Sequence, residues 1–477
     1  TMAYGKNFVD GFGLSWAKYG EPVEGYTHPL WLLVCMASNL PGTPLHIRSL
    51  FVQLASLLLL VACALLVFRI MLELQENRGG TDPSWVPAVV LTMTYYPLTM
   101  WSLQGMESAL QACLVLMAFR YVHQLLYKNR PVFLPLCVCL SLALLTRMDM
   151  VLFVLWTLAF VLYEGRRLPA LRRDRAAGLL IIVLPSIAYL AFRIAYFHDV
   201  LPNTYYLKLT GVPLVVRVLR GWVVTLPFLY PVLIPLAAMA WLASRHEKRK
   251  MIGLALILLL TYIAYSIYVG GDAWQDDYFY GANRFVNFLM PLFFILCNLL
   301  LVTLFNEARA RWPGIAHGRN AFLGLSAALL LLLCNGLLLN PAVKRNVENL
   351  TLLAYPPHVV NHKPLVQEVT ALNRRVTRET LVATGWAGIP GYFGRFRLAD
   401  LHGYNERIIA KQKSLKDFSI ANFREYSPGH VKWDFEYVIR DLKPDLIFQA
   451  ADPAVCLKYG YAFRGGYWVK DGFAYLE

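Results

Sequence analysis

Long apolar stretches recur through the first 340 residues, and they constrain the fold more than any other feature. A helix of about 20 apolar residues spans the hydrocarbon core of a bilayer. Of the 477 residues, 57% are hydrophobic and 16% are charged, whereas about a quarter of the residues in soluble domains are charged. The composition excludes an ordinary soluble enzyme and a disordered chain. The sequence predicts about ten spans, at residues 48–72, 85–101, 105–127, 131–146, 149–163, 176–197, 223–243, 251–269, 284–305 and 321–340.

The loops between these spans alternate in basic content. One set of loops carries fifteen Lys and Arg residues, and the opposite set carries seven. The positive-inside rule places the richer set in the cytoplasm. The net charge of +15 therefore indicates membrane topology rather than a nucleic-acid partner. This topology predicts an outer loop with interfacial helices at 1–47, a transmembrane domain at 48–340 and an extracytoplasmic domain at 341–477.

The first outer segment lacks a preceding span. An N-terminus on the outer side normally requires a translocation signal, so we expect at least one span upstream of Thr1. The short apolar segment at 29–40 predicts an interfacial helix, because twelve residues are too few to cross a bilayer.

The C-terminal region changes from apolar spans to alternating helix and strand patterns. Residues 365–376 and 434–442 have the pattern of amphipathic helices, and 380–384 and 445–450 that of buried strands. Alternation of this kind favours a small α/β domain with a partly parallel sheet.

No cofactor or metal site is predicted from sequence spacing. The eight cysteines form neither a disulfide framework nor a zinc-ligand pattern. Gly385, Gly388 and Gly391 follow a predicted strand, but a dinucleotide fingerprint needs GxGxxG opening a helix, and Pro390 favours a turn. A divalent cation remains an open alternative at the carboxylates Asp272, Asp276 and Asp277.

Polar and aromatic side chains are concentrated in the predicted outer loops and outer helix ends. Aromatic rings stack on the apolar face of a sugar, carboxylates accept its hydroxyl protons, and cationic groups bind phosphate. The predicted sugar-binding set is Glu24, Tyr26, His28, Glu107, Asn203, Tyr205, Asp272 and Trp274. The predicted phosphate-binding set is Arg147, Lys208 and Arg284.

Each of these groups also has a structural interpretation. The aromatic residues fit an interfacial belt, Glu107 fits an acid at a helix N-terminus, and Arg147 fits an ion pair with Asp149 across a turn. A transporter normally places polar residues near the bilayer midplane, on broken helices or repeats, and the sequence has few such residues and no visible repeat. This favours chemistry at the outer surface, with a flippase for lipid-linked sugars or a non-catalytic glycan-binding protein as alternatives.

Motifs along nearly the whole chain together resemble polytopic glycosyltransferases of the GT-C type, and among them the arabinofuranosyltransferase-like branch. In the membrane region these are EGYTHPLW at 24–31, GMES at 105–108, TRMD at 146–149, LPNTYYLK at 201–208 and VGGDAW at 269–274, followed by NRF at 283–285. In the outer domain they are ATGWAGIPGYFG, LADLHGYNERIIA, PGHVKWDFEYVI and KPDLI.

The resemblance implies transfer of a sugar, with inversion, from a polyprenyl-phosphate donor to an acceptor hydroxyl on the outer face of the cytoplasmic membrane. Such a reaction needs a carboxylate base and cationic groups for the departing phosphate. The family's acidic Asp-Asp pair would fall just upstream of Thr1, so no catalytic residue is assigned within this chain. The family more often has Pro and Glu where Met148 and Asp149 stand. Mannose, galactose or an amino sugar are alternatives to arabinofuranose, and the acceptor is an envelope glycan, a lipid or a protein.

Overall fold

The protein is a mainly helical membrane protein with a small C-terminal sheet. The computed structural model describes residues 1–18, 20–75, 83–245, 248–273, 283–335, 348, 357–448 and 452–474. The helices before the sheet are α1 (Met2–Val9), α2 (Pro29–Ser38), α3 (Arg48–Gln75), α4 (Val86–Thr94), α5 (Tyr96–Leu103), α6 (Ser108–Tyr127), α7 (Phe133–Thr146), α8 (Val151–Glu164), α9 (Pro169–Phe197), α10 (Asn203–Leu209), α11 (Leu214–Arg245), α12 (Arg249–Tyr268), α13 (Met290–Arg311) and α14 (Arg319–Cys334).

Within the described residues, six helices are long and apolar enough to cross a membrane: α3, α6, α9, α11, α12 and α13. They coincide with six of the ten predicted spans. The other four predicted spans correspond to shorter helices, so the total of ten stays a prediction.

The predicted span at 85–101 is instead two short helices, α4 and α5. Pro97 has no N–H to donate within a continuous helix, and it lies in the first turn of α5, where that N–H is not needed. The chain is extended at Tyr95, with φ −73° and ψ 99°. The side chain of Asn335 forms hydrogen bonds with two backbone groups at this break. Its Oδ1 accepts from the Tyr96 N–H at 2.7 Å, and its Nδ2 donates to the Thr94 carbonyl at 3.1 Å.

The predicted break between the next two short spans is present. Helices α7 and α8 have 14 residues each, and Arg147 between them has an extended backbone with φ −163° and ψ 140°. Helix α14 covers the first part of the last predicted span, whose remainder at 336–340 lies outside the described residues.

Contacts within the chain divide it into two compact units. The sheet unit comprises 1–49, 190–217 and 351–477, and the helical unit comprises 50–189 and 218–350. Residues 190–217, predicted as part of the transmembrane domain, group with the C-terminal region. One reason is Asn203, whose side-chain amide donates to the carbonyls of Gly403 at 2.8 Å and Tyr404 at 3.0 Å.

The sheet unit contains a five-stranded sheet in the order β2-β1-β3-β5-β4. Strands β2, β1 and β3 are parallel, whereas β5 is antiparallel to β3 and β4. The predicted strands at 380–384 and 445–450 are β1 and β3, which confirms the partly parallel sheet. The strands are β1 (Leu381–Thr384), β2 (Arg397–Asp400), β3 (Leu446–Phe448), β4 (Tyr461–Arg464) and β5 (Tyr467–Lys470).

Helices cover both faces of this sheet. On one face, Val382 and Leu446 belong to a core with Val369 and Leu372, which lie on the helix over 357–375. The opposite face packs on the helix over 407–411 and on a π-helical turn over 438–442. The C-terminal helices are α15 (Pro357–Arg375), α16 (Ile389–Phe393), α17 (Arg407–Lys411), α18 (Phe435–Tyr437) and α19 (Pro453–Lys458). The predicted helices correspond to α15 and to α18 with its π-helical turn.

The glycine-rich segment forms one helical turn, α16, where the sequence predicts a turn without a helix. Pro390 lies in the first turn of α16, where a missing N–H costs no intrahelical hydrogen bond.

A buried lysine ties the α10 segment to the C-terminal region. The Nζ of Lys432 donates to the carbonyls of Tyr206 (2.9 Å) and Ala410 (2.7 Å) and to the hydroxyl of Thr210 (3.0 Å). The lysine side chain is buried, and it donates to three acceptors, of which the Ala410 carbonyl is buried as well.

We expect Lys432→Ala to reduce the free energy of unfolding by about 2–4 kcal/mol, because it leaves these acceptors without a donor. Thermal unfolding of the purified protein in detergent measures the change. The matched control is Lys416→Ala, since Lys416 forms an exposed ion pair with Glu425 at 2.9 Å and such pairs contribute little. Equal losses in both variants would contradict the prediction.

The same lysine gives a pH prediction. Burial lowers the pKa of Lys432 from 10.5 to about 8. Between these values the unfolded chain binds a proton that the folded chain does not, so the contribution of Lys432 to stability rises with pH. The stability difference between wild type and Lys432→Ala should therefore grow from pH 8 to pH 10. A pH-independent Lys432→Ala difference would exclude this linkage.

Candidate functional site

The helical unit contains a buried cluster of charges where several of its helices begin or end. Arg147 directly follows α7, and its guanidinium donates to the two carboxylate oxygens of Asp149 at 2.8 and 2.5 Å. It also donates to Glu107, immediately before α6, at 3.3 Å. All three side chains are at most 8% exposed. The ion pair across the turn is therefore present, and Glu107 extends it to a second helix.

A second ion pair lies between α12 and α13, with Asp272 four residues after α12 and Arg284 six residues before α13. Arg284 Nε lies 2.7 Å from Asp272 Oδ2, and the Asp272 side chain is buried. Arg220 of α11 donates to the carbonyls of Gly270 and Asp272. The bonds from Arg220 hold the turn that carries Asp272 against α11.

One aromatic ring brings the two arginines together. The guanidinium carbons of Arg147 and Arg284 each lie 5.3 Å from the centroid of the Phe285 ring, and that of Arg284 lies 5.8 Å from the Trp101 ring. Cations are attracted to ring faces at this range. Two of the three predicted phosphate-binding residues thus converge on Phe285, a residue to which the sequence analysis assigned no role.

The cluster contains more carboxylates than guanidiniums. Glu107, Asp149 and Asp272 face two arginines, so both positive charges are already paired within the protein. The side chain of Arg284 is 18% exposed and that of Arg147 is 8% exposed. Arg284 is therefore the arginine more accessible to an incoming anion. Among the described residues, no group of His, Cys, Asp and Glu side chains is arranged to hold a metal ion.

Glu24, predicted to bind sugar, forms a buried ion pair in the sheet unit. Arg193 donates to its two carboxylate oxygens at 2.5 and 3.4 Å, and to the carbonyl of Val200 at 3.1 Å. Both charged side chains are less than 5% exposed. The carboxylate thus serves to hold two chain segments together. Arg193 is the single charged residue in the apolar stretch 176–197, and such a charge indicates a buried partner.

The other two predicted sugar-binding residues of the EGYTHPLW motif, Tyr26 and His28, also contact other parts of the protein. Tyr26 packs edge-on against the rings of Tyr4 and Phe197, with centroid distances of 5.0 and 6.2 Å. A ring nitrogen of His28 lies within hydrogen-bonding distance of the Thr1 hydroxyl. Tyr26 is 3% exposed, so its ring is part of the core of the sheet unit.

The remaining predicted residues are placed differently from one another. Asn203 is buried and bonded to the 403–404 loop, whereas Tyr205 is 39% exposed and stacks edge-on with Tyr206. The backbone carbonyl of Lys208 accepts from Tyr426 at 2.6 Å. Trp274 lies outside the described residues.

A hydrogen-bond network around Asp400 has no counterpart in the sequence analysis. The carboxylate of Asp400 accepts from the backbone N–H of His402 at 2.9 Å, and from the backbone and side-chain amides of Asn405 at 2.7 and 3.1 Å. Asn405 in turn accepts from the Tyr4 hydroxyl at 2.8 Å. Burial raises the pKa of the Asp400 carboxyl, and the three hydrogen bonds oppose that shift. The only signal in the sequence is the run of polar residues within LADLHGYN.

No protein-family model matches the chain, and no curated protein matches it either. The predicted site residues are distributed over both units. Glu107, Arg147, Asp272 and Arg284 come together in the helical unit, whereas Glu24, Tyr26, His28, Asn203, Tyr205 and Lys208 lie in the sheet unit. A single outer layer containing all of them stays a prediction.

Glu24→Gln should destabilise the protein by about 3–5 kcal/mol, because it leaves the Arg193 charge buried without an anion. The thermal unfolding midpoint in detergent reports the loss. Glu425→Gln is the matched control, since Glu425 forms an exposed pair and should change stability by less than about 1 kcal/mol. An unchanged midpoint for Glu24→Gln would mean that the pair has no structural role.

Proposed function

We propose that the protein is an inverting membrane glycosyltransferase of the GT-C type. It moves a sugar from a polyprenyl-phosphate donor to an acceptor hydroxyl of an envelope glycan, lipid or protein. The observation that carries the proposal is the convergence of Arg147 and Arg284 on Phe285 at one end of the apolar helices. The phosphate of a lipid-linked sugar lies at the membrane–water boundary. Two arginines near helix ends are placed to bind a phosphate at that depth.

Arg284 is the residue proposed to contact the donor phosphate. Its planar fork matches two phosphate oxygens, and it is the more exposed of the two arginines. Arg147, held by Glu107 and Asp149, adds a second positive charge near the same ring. As the bond between the sugar and the phosphate breaks, negative charge grows on the phosphate oxygens, and cations fixed in advance stabilise that charge.

The acceptor hydroxyl forms the new bond to the sugar and loses its proton to a carboxylate base. In the family that the motifs resemble, this base belongs to an acidic pair. Glu107, Asp149 and Asp272 are each engaged with an arginine, so none of them is assigned as the base. Arabinofuranose is the sugar implied by the resemblance.

The distribution of charge favours an enzyme over a transporter. The central parts of α3, α9, α11, α12 and α13 contain no Asp, Glu, Lys or Arg, and Arg120 lies just past the middle of α6. Transport pathways are expected to place polar residues near the bilayer midplane. The charged cluster at the helix ends is instead suited to chemistry at the membrane surface.

The basic residues support an orientation with this cluster outside. Lys128 and Arg130 follow α6, and Lys248 and Lys250 flank the start of α12, so they lie at the helix ends opposite to the cluster. The positive-inside rule assigns such an end to the cytoplasm. We therefore propose a multi-pass protein of the cytoplasmic membrane with an extracytoplasmic sheet region.

Arg284→Lys is expected to lower the rate of sugar transfer by about 10²–10³-fold. The lysine retains the positive charge beside Asp272 and so preserves folding, but it lacks the planar fork. Membranes containing the native full-length protein, supplied with a radiolabelled polyprenyl-phosphate sugar and an envelope acceptor, measure the rate.

The matched control is Arg120→Lys, because Arg120 pairs with Glu73 at 2.6 Å in the same unit and has no proposed role in transfer. This variant should transfer sugar at close to the wild-type rate. Full activity of Arg284→Lys would rule out the phosphate role, and absence of transfer by wild type with every lipid-linked sugar tested would overturn the proposed function.

A further inference from the structure

The sheet unit contains a half-open cavity of about 390 Å³, which is within the range of small-ligand sites. None of its fifteen lining residues carries a charge. The lining combines aromatic rings with a few amide and hydroxyl groups. The residues that matter for the argument are Tyr4, Trp16, Gly388, Tyr392, Phe393 and Asn405.

The polar atoms of the aromatic residues are bonded to the protein. The Trp16 indole N–H donates to the Ala387 carbonyl at 2.5 Å, the Tyr392 hydroxyl donates to Asn39 Oδ1 at 3.1 Å, and the Tyr4 hydroxyl is used by the network described above. The rings therefore contribute mainly apolar surface to the cavity. Such surface suits a ligand that presents C–H groups.

The wall of the cavity is held in place by close packing. A side chain at Gly391 would clash with the Trp16 indole, so only glycine allows this approach. Asn405 is fixed at the edge by its bonds to Asp400 and Tyr4. An amide held in this way is a preorganised hydrogen-bonding group.

We propose that this cavity binds an uncharged sugar residue, and, on the basis of the proposed function, that the residue belongs to the acceptor glycan. A sugar ring has an apolar C–H face for the aromatic wall and hydroxyls for the amide and hydroxyl groups at its edge. The absence of charged side chains in the lining argues against the donor phosphate or a cation as the ligand. An aliphatic chain is disfavoured because it has no polar atom to form a hydrogen bond with the fixed Asn405 amide.

Gly388 provides a way to fill the cavity without distorting it. A Cβ at Gly388 would meet no atom within 4 Å, although the residue lines the cavity. Its φ of −78° is open to other residues. Gly388→Leu should therefore occupy ligand space, and Phe393→Ala should remove part of the aromatic wall.

Saturation-transfer NMR on the full-length protein in detergent tests the proposal with two probes, a neutral arabino-oligosaccharide and a neutral manno-oligosaccharide. Wild type should bind one of them saturably, and Gly388→Leu and Phe393→Ala should each weaken binding by roughly tenfold or more. Trp386→Ala is the matched control, because Trp386 is exposed in the same loop and does not line the cavity. It should bind like wild type. Thermal unfolding verifies that each variant is folded.

Two outcomes would overturn the inference: no saturable binding of either probe to wild type, or equal binding by wild type and both cavity variants. Arg284→Lys separates this inference from the proposed function, since it should lose transfer and keep oligosaccharide binding. Cavity-dependent binding without any sugar transfer by wild type would support the binding site and refute the enzyme. Sugar transfer by wild type, together with oligosaccharide binding that the cavity variants leave unchanged, would support the enzyme and refute the binding site.

Discussion

Pairing of buried arginines with buried carboxylates is the interaction on which the two units depend. An isolated charge in an apolar interior is too costly to retain, whereas a paired and hydrogen-bonded charge is tolerated. Arg147, Arg284 and Arg193 each meet a carboxylate. Each pair joins segments that are distant in sequence or fixes a turn, so the positions of the helix ends follow from where charges find partners.

This constraint also shapes the chemistry of the helical unit. Phe285 lies beside two guanidiniums whose charges are balanced by carboxylates. An arginine already aligned by a carboxylate loses little side-chain freedom when an anion arrives, which favours binding in a defined orientation. The same carboxylates moderate the positive field, so a phosphate would be bound by geometry as well as by charge.

The sheet unit relies on close backbone approach and on hydrogen bonds to neutral groups. Gly391 permits contact with Trp16, and Lys432 is satisfied by three neutral acceptors. Asp400 fixes Asn405, which is part of a cavity wall. Rigid surroundings of this kind maintain an open cavity, because a flexible wall of aromatic side chains would collapse into it.

Much of the secondary structure was predictable from residue pattern. The helical break at Arg147 and the parallel strands β1 and β3 were predicted, because a charged pair interrupts an apolar run and strand patterns are local. The span at 85–101 was predicted as one helix because hydropathy averages over Pro97, whose effect on the backbone is local and steric. Candidate site residues were chosen by their chemical type, because a sequence shows directly which residues are charged or aromatic.

The sequence by itself determined that this is a helical membrane protein with charged residues concentrated at helix ends and a small α/β region. Only the tertiary structure decided which distant charges pair, as Glu24 does with Arg193, 169 positions apart. It also decided that Arg147 and Arg284 both lie beside Phe285. Hydropathy depends on neighbours along the chain, whereas an ion pair or a cavity depends on segments that meet only after folding. The partners of a polar residue, and thus its role, are therefore set by packing.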